Sequence, residues 1–293
     1  MRPPLVSIVM PTRNQAEFIS SSIDSVLGQD YENLELIIAD GNSQDKTLSL
    51  LREYSAKDKR IRWFSEKDSG PASALNKAIS TVRGTIVGWL NSDDIYTNGS
   101  VNRAIQKLET EKNLLMVYGE SQNISIDTAS VSRYPTLPPK TQIQDFKNGC
   151  FISQPTVFFR RSMYVLLGPL DESLETAFDF DYWMRAFKKF SNRIGFIENI
   201  QALCRIHAAS ITANRRREVL LEGIKIINNS LNISPKDWVI TYFSDIQNRN
   251  DLTLAEKYNE AQDFLSHAIK NMSPADTKYL KLKIDSVFSK KME

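Results

Sequence analysis

The adjacent pair Asp93 and Asp94, in the run Asn91-Ser92-Asp93-Asp94, is the first place where residue type and spacing suggest chemistry. The run follows Thr85 to Leu90, an apolar stretch that reads as a buried strand. Inside a strand, neighbouring side chains point to opposite faces, but on a strand-end turn they need not. Both carboxylates can then offer hard oxygen ligands to one divalent cation. The competing reading is a polar turn that caps the next helix. Two similar clusters weigh against it. Pro11-Thr12-Arg13-Asn14 follows the run Val6 to Met10, and Asp40-Gly41-Asn42-Ser43 follows Leu34 to Ala39. In an open parallel sheet, ligands bind beyond the carboxyl ends of the strands, where all three clusters fall. A nucleotide there would lack the usual glycine cradle. No two glycines stand two residues apart, which excludes G-x-G-x-x-G, and G-K-[ST] is absent as well. A hard divalent cation held by one or two carboxylates would neutralise a diphosphate in place of a glycine cradle.

The elements that must position these groups alternate along the first 120 residues. Strands are expected at Val6–Met10, Leu34–Ala39, Ile61–Phe64, Thr85–Leu90 and Leu114–Tyr118. Helices are expected around Phe18–Leu27, Thr47–Tyr54, Ala72–Val82 and Val101–Leu108. Such alternation predicts a Rossmann-like α/β fold, a mostly parallel sheet with helices on both faces. Residues 120–150 are polar and carry Pro135, Pro138 and Pro139, so an irregular excursion or an edge hairpin is expected. Strand character returns at 154–161 and 194–206. Phe180, Trp183, Met184 and Phe187 mark an amphipathic helix between them. Trp89, Phe158, Phe159 and Trp183 read as core. From about residue 215 the chain reads as polar helix.

Composition narrows the function classes. The chain has 293 residues, with 41% hydrophobic and 25% charged, so it has ample material for a core. Its formal charge of +2 argues against a nucleic-acid binder. Two cysteines, Cys150 and Cys204, are too few for a disulfide scaffold or a zinc cage, and two buried thiols are expected. No run approaches the ~18–20 apolar residues of a membrane span. Met1-Arg2-Pro3-Pro4 leads into a short apolar run with no cleavage site behind it, so a cytoplasmic location is expected, with peripheral contact at the inner membrane face a further option.

Four stretches resemble family 2 glycosyltransferases of the GT-A fold. They are VSIVMPTRNQAEFISSSIDSVLGQDYENLELIIADGNSQDKT, SEKDSGPASALNKAISTVRGTIVGWLNSDDIY, SQPTVFFRRSMYVLLGPLDESLETAFDFDYWMRAF and LCRIHAASIT, in that order. The resemblance covers about residues 4–213. It implies a GT-A domain over 1–213, with a nucleotide-sugar half at 1–119 and an acceptor half at 120–213. A helical C-terminal extension follows at 214–293. Docking onto the core, dimer formation and a membrane-facing role stay open for that extension.

The resemblance also implies the reaction: inverting transfer of a sugar from a nucleotide diphosphate, a UDP-sugar, to an acceptor hydroxyl, with Mn²⁺ or Mg²⁺. Donor contacts fall on Pro11, Thr12, Asn14, Asp40, Asp68, Asn76, Ser92 and Asp93. Metal ligation falls on Asp94, with Asp93 and His207 beside it. The family's turn most often carries two successive acids, and here the second is Gly41, which leaves the nucleobase open. An inverting displacement needs one general base opposite the leaving group, and Asp179 matches that position, with Asp181 as an orienting or capping group. Both stand at a helix start, where the macrodipole favours ionisation, while the neighbouring like charge would push one pKa up. The alternative is a pair of ordinary first-turn acids.

His207 could hold a metal or a phosphate, or be a satisfied core residue; His267 reads as structural. Arg215-Arg216-Arg217 reads as a solvated run or a contact for phosphate or an anionic surface. The expected partners are the nucleotide-sugar donor and a saccharide or lipid-linked saccharide acceptor, in cell-surface polysaccharide or glycolipid synthesis. Two competing classes are a non-catalytic nucleotide-sugar-binding module on the same fold and a nucleotidyltransferase. The second lacks its glycine-rich, lysine-bearing loop.

Overall fold

Alternating apolar runs and amphipathic helices set up the sheet. A computed structural model describes residues 3–126, 128–138 and 140–289. Met1, Arg2 and Pro139, noted above, lie outside the described residues, as does Asp127. The chain divides into two compact units, 1–141 with 151–208, and 142–150 with 209–293.

The first unit opens with β1 (Val6–Thr12), α1 (Ile19–Leu27), β2 (Leu34–Asp40), α2 (Thr47–Lys57), β3 (Ile61–Ser65), α3 (Pro71–Ser80) and β4 (Ile86–Trp89). Next come β5 (Ile95–Tyr96), α4 (Ser100–Thr110), β6 (Met116–Ser125) and β7 (Val131–Arg133). It closes with β8 (Phe158–Arg160), α5 (Arg161–Leu167), α6 (Phe178–Phe190) and β9 (Ile194–Ile206). The strands join one sheet in the order β3-β2-β1-β4-β8-β6-β9-β5, with β7 paired to β6. β3, β2, β1 and β4 are parallel neighbours, as are β6 and β9. β8 runs antiparallel to both β4 and β6.

Both faces of the central strands are buried, and the residues that enter each core alternate with period two. Val6, Ile8 and Met10 of β1 enter a core with Leu34, Leu36 and Ile38 of β2, Ile19, Ile23 and Val26 of α1, and Val101, Ile105 and Leu108 of α4. Val9 and Ile37, on the other face, are equally buried, and α3 packs on β1 and β2. Helices therefore cover both faces, as the apolar runs require. Trp89, Phe158, Phe159 and Trp183 are core residues. The 120–150 excursion begins as an edge hairpin, with β6 longer than expected and Gln122, Asn123 and Ile124 paired to β7.

Strand lengths leave a gap. β1 pairs with β2 as far as Thr12↔Asp40, but with β4 only as far as Val9↔Trp89. Pro11 and Thr12 thus project past the end of β4. Pro11 lacks an N–H and costs no ladder bond on that side. Because β1 is followed in space by β2 on one flank and β4 on the other, this gap is the switch point where a ligand crevice forms.

The second unit is helical: α7 (Ile211–Asn214), α8 (Arg216–Leu231), α9 (Lys236–Gln247), α10 (Leu254–Ala268) and α11 (Pro274–Ile284). The segment 142–150 belongs with it, through a buried Phe146. Trp238, Phe243, Phe264, Leu280 and Phe288 form its interior. Gly223 lets α8 and α9 approach closely, since a Cβ there would stand 2.1 Å from the Trp238 ring. Arg216 pairs with Asp245, and Arg217 with Glu260 and Asp263, so those two arginines are committed within the unit. Both cysteines are thiols and only half-buried. Among the described residues no helix is long and apolar enough to cross a membrane.

Candidate active site at the strand ends

Asp93 and Asp94 follow β4 at the edge of the crevice. Asp94 is buried, and its Oδ1 accepts the Arg205 N–H at 3.1 Å. Burial and the neighbouring Asp93 push the Asp94 carboxyl well above the usual carboxylate range. Asp93 is more open, and its Oδ2 lies 3.2 Å from His207 Nε2. His207 reaches it because β9 runs parallel to β6 for its whole length and pairs with β5 at Ile95↔Leu203, which returns residues 205–207 to the carboxylates.

Arg205 ties the region together. It donates to the Asp93 carbonyl at 2.9 Å and to Ser21 Oγ at 2.6 Å, and its guanidinium lies 5.5 Å from the centre of the Phe18 ring. Phe18 in turn packs on the His207 ring at 4.6 Å. Ser92 is buried, and its carbonyl accepts from Ser22 Oγ at 2.8 Å.

On the other side of the crevice, the β2 turn is built on Asp40. This carboxylate is almost fully buried and accepts from the Ser43 N–H and hydroxyl and from Ser65 Oγ. Asn14, at a left-handed φ of 53°, donates its N–H to Ser43 Oγ and accepts from the Gln44 N–H. Thr12 is buried, and its Oγ1 has no hydrogen-bond partner among the described residues. Asp68 lies over Gly41 at the end of β2.

Asn76 has a different occupation from the donor contact expected of it. Its amide donates to the Leu170 carbonyl and Glu172 and accepts from Tyr164 Oη and the Leu170 N–H. Two donors and two lone pairs are all a primary amide has, so nothing remains for a donor sugar. Asn76 positions the 164–172 segment instead.

Asp179 lies in the first turn of α6. Its Oδ1 accepts the Phe180 N–H at 2.7 Å, and Oδ2 has no partner among the described residues. Burial pushes its carboxyl up to about 6. The cause is desolvation, not the neighbouring charge weighed from sequence. Asp181 is spent on Arg185 at 2.7 Å, and Arg185 also donates to the Leu167 and Pro169 carbonyls. Asp181 therefore braces the loop before α6 and caps nothing. Phe178 stacks on Trp89 at 5.7 Å and Trp183 lies 6.1 Å from it, which fixes the start of α6 against the end of β4.

Sequence reasoning missed two participants. One is Arg205, whose signal was a lone cation in a buried-strand pattern. The other is Gln154, which donates to the Trp89 carbonyl at 2.7 Å while its buried Oε1 has no hydrogen-bond partner among the described residues.

The donor set fits a hard divalent cation in chemistry: two adjacent carboxylates, one of them desolvated, with an imidazole alongside. Among the described residues no three such groups converge as a closed metal cage. Any cation would therefore need further oxygens from its ligand.

The model of the family described as glycosyl transferase family 2 matches residues 7–167, more than half of the chain. The chain belongs to glycosyl transferase family 2. This family 2 chain is 31% identical over 223 residues to an uncharacterised glycosyltransferase of Rickettsia prowazekii (strain Madrid E), covering 71% of this chain and 66% of the relative. It is 28% identical over 233 residues to a chondroitin synthase of Escherichia coli, covering 78% of this chain and 33% of that one. It thus spans less than two thirds of the length of these relatives. Among solved structures it is similar to S. aureus TarS 1-349 in complex with UDP-GlcNAc, with TM-score 0.65, 16% identity and coverage of 97% and 89%. It is also similar to a mannosyltransferase of Pyrobaculum calidifontis in complex with GDP-Man and Mn2+, with TM-score 0.60, 17% identity and coverage of 97% and 80%. At such identities the likeness establishes the fold, the GT-A fold expected from sequence.

Proposed function

We propose that this chain transfers a sugar, with inversion, from a UDP-sugar to a hydroxyl of a saccharide or lipid-linked saccharide, in the synthesis of a cell-surface polysaccharide or glycolipid. The carrying observation is the convergence, around the end of β4, of the Asp93–His207 pair and buried Asp94 with the α6 start that bears Asp179. Nucleoside contacts fall to Pro11, Thr12 and Asn14 at the end of β1, with Asp40 holding the turn beside them. Two of Asp93, Asp94 and His207 would hold Mn²⁺ or Mg²⁺, with diphosphate oxygens supplying the remaining ligands. The cation supplies charge neutralisation for the departing diphosphate.

Asp179 is the general base. As the acceptor oxygen bonds to the anomeric carbon, the bond from that carbon to the diphosphate oxygen breaks, and the hydroxyl proton passes to Asp179 Oδ2. A base with a pKa near the working pH suits this role, and burial has brought Asp179 to about 6. Asp181 and Arg185 keep the approach loop in place.

The test is donor hydrolysis and binding across a panel of nucleotide sugars, with Mn²⁺ or Mg²⁺ and with chelator. Metal-dependent release of UDP from one donor is the expected result. Absence of binding by every nucleotide in the presence of metal would sink the reading.

A further inference from the structure

The helical unit carries a face that its own packing does not use. Ser273 caps α11 by accepting the Asp276 N–H at 3.0 Å, and Pro274 takes the first turn, where its missing N–H costs nothing. Leu280 and Ile284, one turn apart, are the buried residues of this helix. At 3.6 residues per turn that stripe leaves Lys278, Tyr279, Lys281 and Leu282 away from the interior, and all four are exposed. Tyr279 is 49% exposed and Leu282 58%.

A single exposed Leu is ordinary, but Leu282 does not stand alone. It lines a depression of about 500 Å³ with Met272, Pro274, Thr277, Lys278 and Lys281, so apolar and cationic groups share one surface. Lys278 and Lys281 have no ion-pair partner among the described residues. The acids nearest them in sequence are committed elsewhere. Asp276 pairs with Lys236 at 3.2 Å and accepts from Ser273 Oγ, and Asp285 accepts from Tyr258 Oη at 3.1 Å. Lys236 also lies 5.8 Å from the centre of the Tyr279 ring. The two free lysines are therefore an unbalanced positive charge beside two large apolar side chains. Arg216 and Arg217, from the basic run singled out in the sequence, offer no such charge, since both are paired within the unit.

We propose that this face of α11 docks the chain on an anionic membrane surface, with Tyr279 and Leu282 entering the boundary between headgroups and acyl chains and Lys278 and Lys281 pairing with lipid phosphates. A lysine stem lies along apolar surface while its ammonium reaches outward, and a tyrosine ring suits the same boundary. Charge complementarity selects this occupant. A second copy docked by two-fold symmetry would bring the same unbalanced lysines together. An anionic bilayer neutralises them and covers the apolar pair at once. Such docking is independent of which donor the chain uses and of the sugar-transfer reaction.

The experiment is co-sedimentation of the full chain, without nucleotide, with vesicles of phosphatidylcholine alone and of phosphatidylcholine and phosphatidylglycerol in equal parts, at low and high salt. Binding to the mixed vesicles that weakens in high salt, with little to phosphatidylcholine alone, is the expected result. Lys278→Gln/Lys281→Gln should lower the partition coefficient by about tenfold or more, since each lysine near the surface is worth about fivefold. Tyr279→Ser/Leu282→Ser should lower it by about tenfold and keep the salt dependence. All four side chains are exposed, so both variants should retain the parent's circular dichroism. Absence of sedimentation with the mixed vesicles would overturn the proposal, as would equal sedimentation with both kinds or binding that either variant leaves unchanged. A mass by light scattering that rises to the dimer with concentration, and returns to the monomer in Tyr279→Ser/Leu282→Ser, would overturn it in favour of a second copy.

Discussion

Asp93 and His207 are 114 residues apart in sequence, yet Oδ2 and Nε2 are separated by 3.2 Å. The pair joins the turn after β4 to the end of β9. Its neighbour Asp94 is held from the same strand, through the Arg205 N–H. A loop of two acids and the strand that closes the sheet thus form one assembly, and its parts should fail together.

His207→Ala tests that assembly. The expected outcome is a loss of about 10–100-fold in Mn²⁺-supported UDP affinity, with little change in whatever affinity persists in chelator. Titration calorimetry at several Mn²⁺ concentrations checks it. Equal losses with and without metal would assign His207 to packing against Phe18 alone.

Asp179 should impose the acidic limb of the pH profile. Turnover needs its ionised form, so activity should rise with pH through a midpoint near 6. Asp179→Asn should lower turnover by about 10²–10⁴-fold and spare donor binding. Stability has the opposite sign. Between the ordinary carboxylate range and about 6, the folded chain keeps the proton that the unfolded chain has released, so stability falls as pH rises through that window. Above it the ionised buried carboxylate costs roughly 3 kcal/mol. Asp179→Asn should therefore melt higher than the parent above that window, with the gain gone below it, as read by thermal unfolding across pH.

Arg205 is a positioning residue for Asp93. Arg205→Met keeps the apolar stem on Phe18 and removes the bonds to the Asp93 carbonyl and Ser21. We expect turnover to fall about tenfold or more, the worth of charged hydrogen bonds, with Mn²⁺ dependence shifted to higher concentration. Arg205→Lys should recover part of the loss. An unchanged Mn²⁺ requirement would remove the positioning role.

Asn76→Ala should damage stability and leave donor affinity alone. It strips four hydrogen bonds from a buried amide and orphans the Leu170 carbonyl and N–H, so a cost of about 2–4 kcal/mol is expected from denaturant melts. A weaker KM for the donor at unchanged stability would restore Asn76 to the donor site.

The parallel strands and their polar ends were legible because each apolar run stops at a turn with its own chemistry, as Met10 does before Pro11 and Ala39 before Asp40. The position of Asp179 was legible for the same reason, being the start of a strongly amphipathic helix. What escaped was anything decided by distant partners. Asn76 looked cleft-facing from its place in a helix, but its fate was set by Leu170 and Tyr164, some 90 residues on. Asp181 looked like a cap, and Arg185 one turn later claimed it. The source of the raised Asp179 pKa was equally hidden, since it is burial in the folded chain and not the adjacent acid. The placement of 142–150 with the helical unit depends on what buries Phe146, which no local pattern announces.

The course of β9 has a consequence for dividing the enzyme. Its thirteen residues lie between β6 and β5, so a strand from residues 120–213 is woven into the sheet that carries the turns after β1, β2 and β4. Gln201 of that strand is fully buried, and its Oε1 accepts from Arg103 of α4 while its Nε2 donates to the Ser100 carbonyl. The fragment 1–119 would lose the imidazole facing Asp93 and end inside β6. Residues 1–119 and 120–213 are therefore not exchangeable modules. A chimera that borrows residues 120–213 from a relative must bring β9 along with its match on α4, or the carboxylates after β4 lose the strand that faces them.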